Sequence, residues 1–245
     1  MNKQLLLESV RGVLARLEET IIFALIERAQ FRRNDVIYVP GAFGDVLQGE
    51  SLCGYMLHET ERIHARMRRY TSPDENPFFP DLPAPILPPL YFSENPLVAN
   101  TVNLNAELRR IYEHELVPHL CAEGDDKQYG SSSLCDVACL QSLSKRVHYG
   151  KFVAESKYRS DPERFSRLIR AGEADALMVA ITDEEAEDSV LERVGLKAQA
   201  YARDVGNGNE GAAKLNPELV VDIYSRWIIP MNKEVQVRYL LERGK

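Results

Sequence analysis

Arg146 and Lys157 are the first residues from which a chemistry can be read. The stretch CLQSLSKRVHYGKFVAESK, residues 139 to 157, reads as one helix. Eleven residues make about three turns, so both cations share a face, roughly 16 Å apart along the axis. Long side chains reaching inward from both ends would leave a gap the size of a small dianion. Arginine can grip a carboxylate with two parallel hydrogen bonds, while lysine supplies a compact point charge. Spacing alone leaves the competing reading open, because basic residues on a helix commonly form a solvated face.

Three further features could join that pair. Arg11 sits mid-helix among Val10, Val13 and Leu14, where a surface ion pair is the plainer alternative. Asp183 and Glu187 are four residues apart and share a helix face, although the acid-rich run DEEAED also suits the positive end of a helix. Asn232 and Gln236 repeat the spacing two residues past Pro230. Their amides are either solvated surface or hydrogen-bond donors in a pocket.

The elements that must position these residues are helices. Leu6, Val10, Val13, Leu14, Leu17, Ile21 and Leu25 predict a long amphipathic helix over residues 3 to 30. A second is expected over 51 to 70. Seven prolines from Pro73 to Pro89 then impose an extended crossing segment. Helix resumes over 103 to 120, and a polar loop leads to the helix bearing Arg146 and Lys157, expected from about 132. Pro162 and Gly172 bracket a short helix. Residues 183 to 204 and 216 to 243 complete the set, the last kinked at Pro230. No stretch alternates with period two, so the expected class is all-α, a helical bundle in a single domain over 1–245. The length of the first helix favours a homodimer.

Composition narrows the function. With a formal net charge of -7, neither nucleic acid nor an anionic membrane is an expected partner. No apolar run is long enough for a transmembrane helix. The opening MNKQLLLESVRG turns polar too early for a signal peptide, which points to the cytoplasm. Four cysteines, Cys53, Cys121, Cys135 and Cys139, are too few for a disulfide scaffold. Cys135 and Cys139 sit at helical spacing downstream of His114 and His119, without the tight, loop-borne spacing of a zinc site. His58 and Glu59 open no HExxH motif, because position 62 is Arg. No metal is expected, and the thiols are expected to be buried.

Four blocks contain or flank the residues singled out. They are RGVLARLEETIIFALIERAQF at 11 to 31, RIHARMRRYTSPDENPFFP at 62 to 80, GDDKQYGS with the 139 to 157 stretch, and IIPMNKEVQVRYLLER at 228 to 243. Together they resemble the all-helical chorismate mutase of fungi and plants, and the similarity runs end to end. The resemblance implies an all-α homodimer with an active site inside a helical bundle of each protomer. It also implies an isomerase that converts chorismate to prephenate in the shikimate pathway, for phenylalanine and tyrosine biosynthesis. That intramolecular Claisen rearrangement calls for no cofactor, nucleophile or proton transfer. It needs a compact conformer held in place and charge stabilised on the breaking ether oxygen.

By this similarity Arg11 and Arg146 would clamp the two carboxylates and Lys157 would donate to the ether oxygen. Glu187 would accept from the ring hydroxyl and orient Lys157, with Asp183 supporting the cluster. Two matching positions depart from the fungal pattern. Asn232 stands where fungal members have Thr near the carboxylate, and Gln236 where they have a Glu that must be protonated to donate. An amide donates without a proton from solvent, so activity is expected to stay high at neutral and mildly alkaline pH.

Arg68, Arg69, Gly130 and Ser131 match the tyrosine and tryptophan effector site of the family, which lies at its dimer interface. Lys127, Gln128, Leu134 and Asn216 depart from it, so effector control is expected to be weakened or absent. The alternatives are a mutase delivered to another cell to divert chorismate, and a helical dimer kept for binding alone. Retention of Arg11, Arg146, Lys157 and Glu187 together argues against the second.

Overall fold

The computed structural model describes residues 7–88, 90, 95–202 and 215–244. Helix α1 (Leu7–Ala29) turns Val10, Leu14, Ile21, Ile22 and Leu25 inward, as their spacing requires. Ser51 accepts from the Gly54 amide and starts α2 (Leu52–Arg66), after which a 3-10 turn at Arg69–Thr71 opens the proline-rich crossing. Helix α2 is therefore shorter than the 51 to 70 expected.

The helix expected over 103 to 120 is α3 (Asn105–Ile111), a π turn at Tyr112–Leu116 and α4 (Val117–Leu120). Pro118 stands two residues past that π turn. The same arrangement recurs at the C-terminal end, where α10 (Pro217–Ile223), a π turn at Tyr224–Ile228 and α11 (Ile229–Arg243) run on without a break. Proline has no N–H to donate and its ring crowds the carbonyl one turn earlier, so a widened turn just before Pro118 and Pro230 relieves both. The kink expected at Pro230 takes this form.

The single helix expected over residues 139 to 157 is two helices, α5 (Tyr129–His148) and α6 (Gly150–Ser160), which meet at Tyr149. Arg146 lies in the last turn of the first and Lys157 in the last turn of the second, and Tyr149 between them keeps a helical φ and ψ of −61° and −12°. Asp161 caps α7 (Pro162–Ala171), and Gly172 follows it with φ 70°, the left-handed conformation glycine adopts freely. Next comes α8 (Ala174–Ile181), which the sequence reading did not assign. Its residues ADALMVAI are apolar on nearly every side and show no period. Then α9 (Glu184–Ala202) begins at the expected acidic run; residues 203 and 204 lie outside the described residues.

Among the described residues every regular element is helical. Helix α1 packs along α5 and α9, while α11 crosses α5, α6 and α8. One large apolar cluster joins these helices, and Val10, Leu14, Phe152 and Val153 form a smaller one where α1 meets α6. Cys53, Cys121 and Cys139 are buried, and all four thiols are free. No helix of the described residues is long and apolar enough to cross a membrane.

Candidate active site

Arg146, Lys157, Glu187 and Gln236 come from α5, α6, α9 and α11, and they line one cavity of about 250 Å³ together with Arg11, Asp183 and Asn232. Arg146 is 3% exposed, and its Nε and Nη1 have no hydrogen-bond partner in the protein. Its guanidinium lies 6.0 Å from the centre of the Tyr224 ring. Burial depresses its pKa, opposed by Tyr224 and Glu18. A buried cation with unused donors on a cavity wall is costly unless an anion completes it.

Lys157 donates to the carbonyl of Ile181, the last residue of α8. That carbonyl belongs to the negative end of the helix dipole, which suits an ammonium. Burial lowers the Lys157 pKa below that of a free lysine, with Asp183 acting in the opposite sense. Asp183 caps α9 by accepting from the Ala186 amide at 3.1 Å and pairs with Arg11 at 2.5 Å. The Ala186 amide bond is the main cause that holds its carboxyl below the usual range, with Arg11 adding to it.

Glu187 was expected to orient Lys157; its carboxylate pairs with Lys233 at 3.0 Å, and its charge also favours the charged form of Lys157. Asn232 was expected to touch substrate. Its Nδ2 donates to the carbonyls of Arg146 and Val147 at 3.2 and 3.0 Å, and its Oδ1 accepts from Gln236 Nε2 at 3.0 Å. Gln236 Oε1 is left without a partner.

Two cavity cations escaped the sequence reading. Lys233 follows Asn232 on α11, and Arg193 stands seven residues past Ala186 and three past Val190 on the face of α9 that lines the cavity. Arg193 grips the fully buried Glu18 with two hydrogen bonds, 2.8 and 2.6 Å long, and Lys197 adds a third at 3.2 Å. Glu18 thus pairs with Arg193 and Lys197 and forms no ion pair with Arg146. No group of three metal-ligating side chains occurs among the described residues.

Arg68, Arg69, Gly130 and Ser131 lie elsewhere. Arg69 donates to Gln141 at 2.8 Å and to Glu75 at 3.0 Å, while Arg68 donates to the Pro88 carbonyl. Gly130 and Ser131 are exposed in the first turn of α5. Ser131 is ten residues from Gln141, about 15 Å along a helix. Among the described residues no hydrogen bond joins the two pairs within one chain.

The family model of chorismate mutase type II matches residues 129–237. The chorismate mutase of Schizosaccharomyces pombe is 45% identical over 99% of this chain and 98% of its own length. The Aro7p chorismate mutase of Candida albicans, solved in complex with L-tryptophan, superposes with a TM-score of 0.92 at 38% identity, over 99% of this chain and 95% of that one. The chloroplast chorismate mutase of Zea mays gives 0.88 at 46% identity, over 99% and 96%. Likeness of this extent in sequence and in fold carries one conclusion: the chain belongs to the chorismate mutase type II family, and its activity is the isomerisation of chorismate to prephenate.

Proposed function

We propose that the cavity between α1, α5, α6, α9 and α11 holds chorismate, with Arg146 and Arg11 on its carboxylates. The observation that carries this is the buried Arg146 guanidinium with Nε and Nη1 unpartnered. Lys157 and Gln236 donate to the ether oxygen as its bond breaks, and Glu187, held by Lys233, accepts from the ring hydroxyl. Donors fixed before the reaction stabilise developing charge without reorganising. A dianion also offsets the cost of keeping Arg146 and Lys157 out of water.

The test is loss of chorismate absorbance with purified protein over pH 5 to 9. Lys157→Ala is expected to lose about 100-fold or more in kcat. Arg146→Lys, which keeps the charge and loses the fork, is expected to raise KM about tenfold. Near-native kinetics in both variants would remove these side chains from the site.

We further propose that residues 1–245 act as one domain and that two chains pair. Helix α2 turns Tyr55 and Ile63 outward, and Met67 just past its end is exposed too, apolar surface that supports pairing. By similarity Arg68 and Arg69 of one chain would face Gly130 and Ser131 of another. The Candida relative was solved with L-tryptophan, yet Leu134 here is 63% exposed and apolar. It offers an amino acid no hydrogen bond, which supports weakened control. The cytoplasm expected from the sequence stands against a maize relative from the chloroplast, and a fluorescent fusion distinguishes the two.

A further inference from the structure

We propose that Asn232 and Gln236 are a matched pair, in which Asn232 orients Gln236 and fixes the kind of donor that position 236 can be. The inference rests on the reading of Gln236 as donor to the ether oxygen. Asn232 is 7% exposed and Gln236 4%. Asn232 Nδ2 donates to two carbonyls at the end of α5, those of Arg146 and Val147. Carbonyls only accept, so this amide cannot turn over without setting its own oxygen against both. Its Oδ1 is therefore fixed toward Gln236 and accepts from Nε2. Gln236 is fixed in turn, with one N–H on Asn232 and the second N–H of the same nitrogen free for the cavity.

Gly150 makes the arrangement possible. A Cβ there would stand 2.6 Å from the Asn232 backbone oxygen and 3.0 Å from its Nδ2. Only a residue without one lets α11 come this close to the junction of α5 and α6.

The consequence is a count of hydrogens. A primary amide carries two on its nitrogen, one for Asn232 and one for the charge growing on the ether oxygen. A protonated carboxyl carries one. Glutamate at 236 would place its only O–H on Asn232 Oδ1 and turn lone pairs toward the ether oxygen. An ionised glutamate would set negative charge against both. While Asn232 stands, an acid therefore fails at every pH; once the acceptor is removed, its O–H is released for catalysis.

The experiment compares kcat and KM for chorismate over pH 5 to 9 in the wild type and four variants: Gln236→Ala, Gln236→Glu, Asn232→Leu, and the double variant Asn232→Leu/Gln236→Glu. A thermal melt accompanies each, and Asn232→Ala replaces Asn232→Leu if the latter does not fold. Gln236→Ala is expected to lose about 100-fold in kcat with KM little changed. Gln236→Glu stays low at pH 5 as at pH 8. The double variant regains about tenfold over Gln236→Glu at pH 5 and loses the gain as pH rises. An acid optimum in Gln236→Glu alone, or no regain in the double variant, overturns the pairing and leaves Gln236 a donor. Wild-type kcat in Gln236→Ala overturns the donor reading itself, and the pairing with it.

Discussion

The ion pair of Arg11 and Asp183 joins α1 to the start of α9 with side chains 48% and 42% exposed. Asp183 thus occupies the guanidinium that we propose for a substrate carboxylate. The same charge raises the pKa of Lys157 against the effect of burial. Asp183→Asn keeps a cap for α9, because asparagine caps as well as aspartate, and removes only the charge. It is expected to lower KM about two- to fivefold, the size of an exposed ion pair. It is also expected to move the alkaline limb of kcat to lower pH, since Lys157 loses a neighbour that favours its charged form. A KM unchanged and a limb unmoved in a full pH–rate profile would deny Asp183 both effects. The residues of this site were legible in the sequence through their types and through whole blocks of family likeness. Their pairing was not. That Glu187 meets Lys233, or that Asn232 turns to the end of α5, depends on how α9 and α11 cross, which no spacing within one helix contains.

At the scale of elements, the junction of α5 and α6 sets where Arg146 and Lys157 stand. Helical periodicity runs through Tyr149 without a signal, so the sequence reads as one helix. The backbone of α11 comes within 2.6 Å of where a Cβ on Gly150 would stand, so glycine was the mark to notice at the junction. Helix α8 was missed because its short apolar run has no period, and yet its last carbonyl holds Lys157. The helices with strong punctuation were legible to within a residue or two, as with Pro162 and Gly172 around α7. Gly150→Ala tests the junction. Alanine favours a helix by about 1 kcal/mol over glycine, but overpacking at a close contact costs about 1–3 kcal/mol. The expected result is a lower melting temperature with kcat reduced more than KM is raised, since the displaced segment carries Asn232 and Gln236. A Gly150→Ala protein with higher stability and native kcat would mean that α11 has room to spare.

At the scale of the whole molecule, Arg11, Arg146, Lys157, Glu187 and Gln236 line one cavity within a single chain, whereas among the described residues no hydrogen bond joins Arg68 and Arg69 to Gly130 and Ser131 within one chain. Catalysis and control should therefore respond differently to loss of pairing. Ile63 is 62% exposed on α2, with Tyr55 before it and Met67 just past the helix end at 36% and 46%. A charge there opposes burial against a second copy and disturbs no internal contact of the core. The wild type is expected to sediment as a dimer and Ile63→Glu as a monomer. Surface substitutions away from packed features change free energies by about 0.5 kcal/mol or less, so the monomer should rearrange chorismate within about twofold of the native rate. Titration of both proteins with tyrosine and tryptophan at subsaturating chorismate completes the comparison. Leu134 and Lys127 predict a weak response or none in the dimer, and any response that does occur should vanish in the monomer. A monomer without activity would show that the bundle needs its partner to hold the site; a strong effector response in the dimer would show that the departures at Lys127, Gln128 and Leu134 leave control intact.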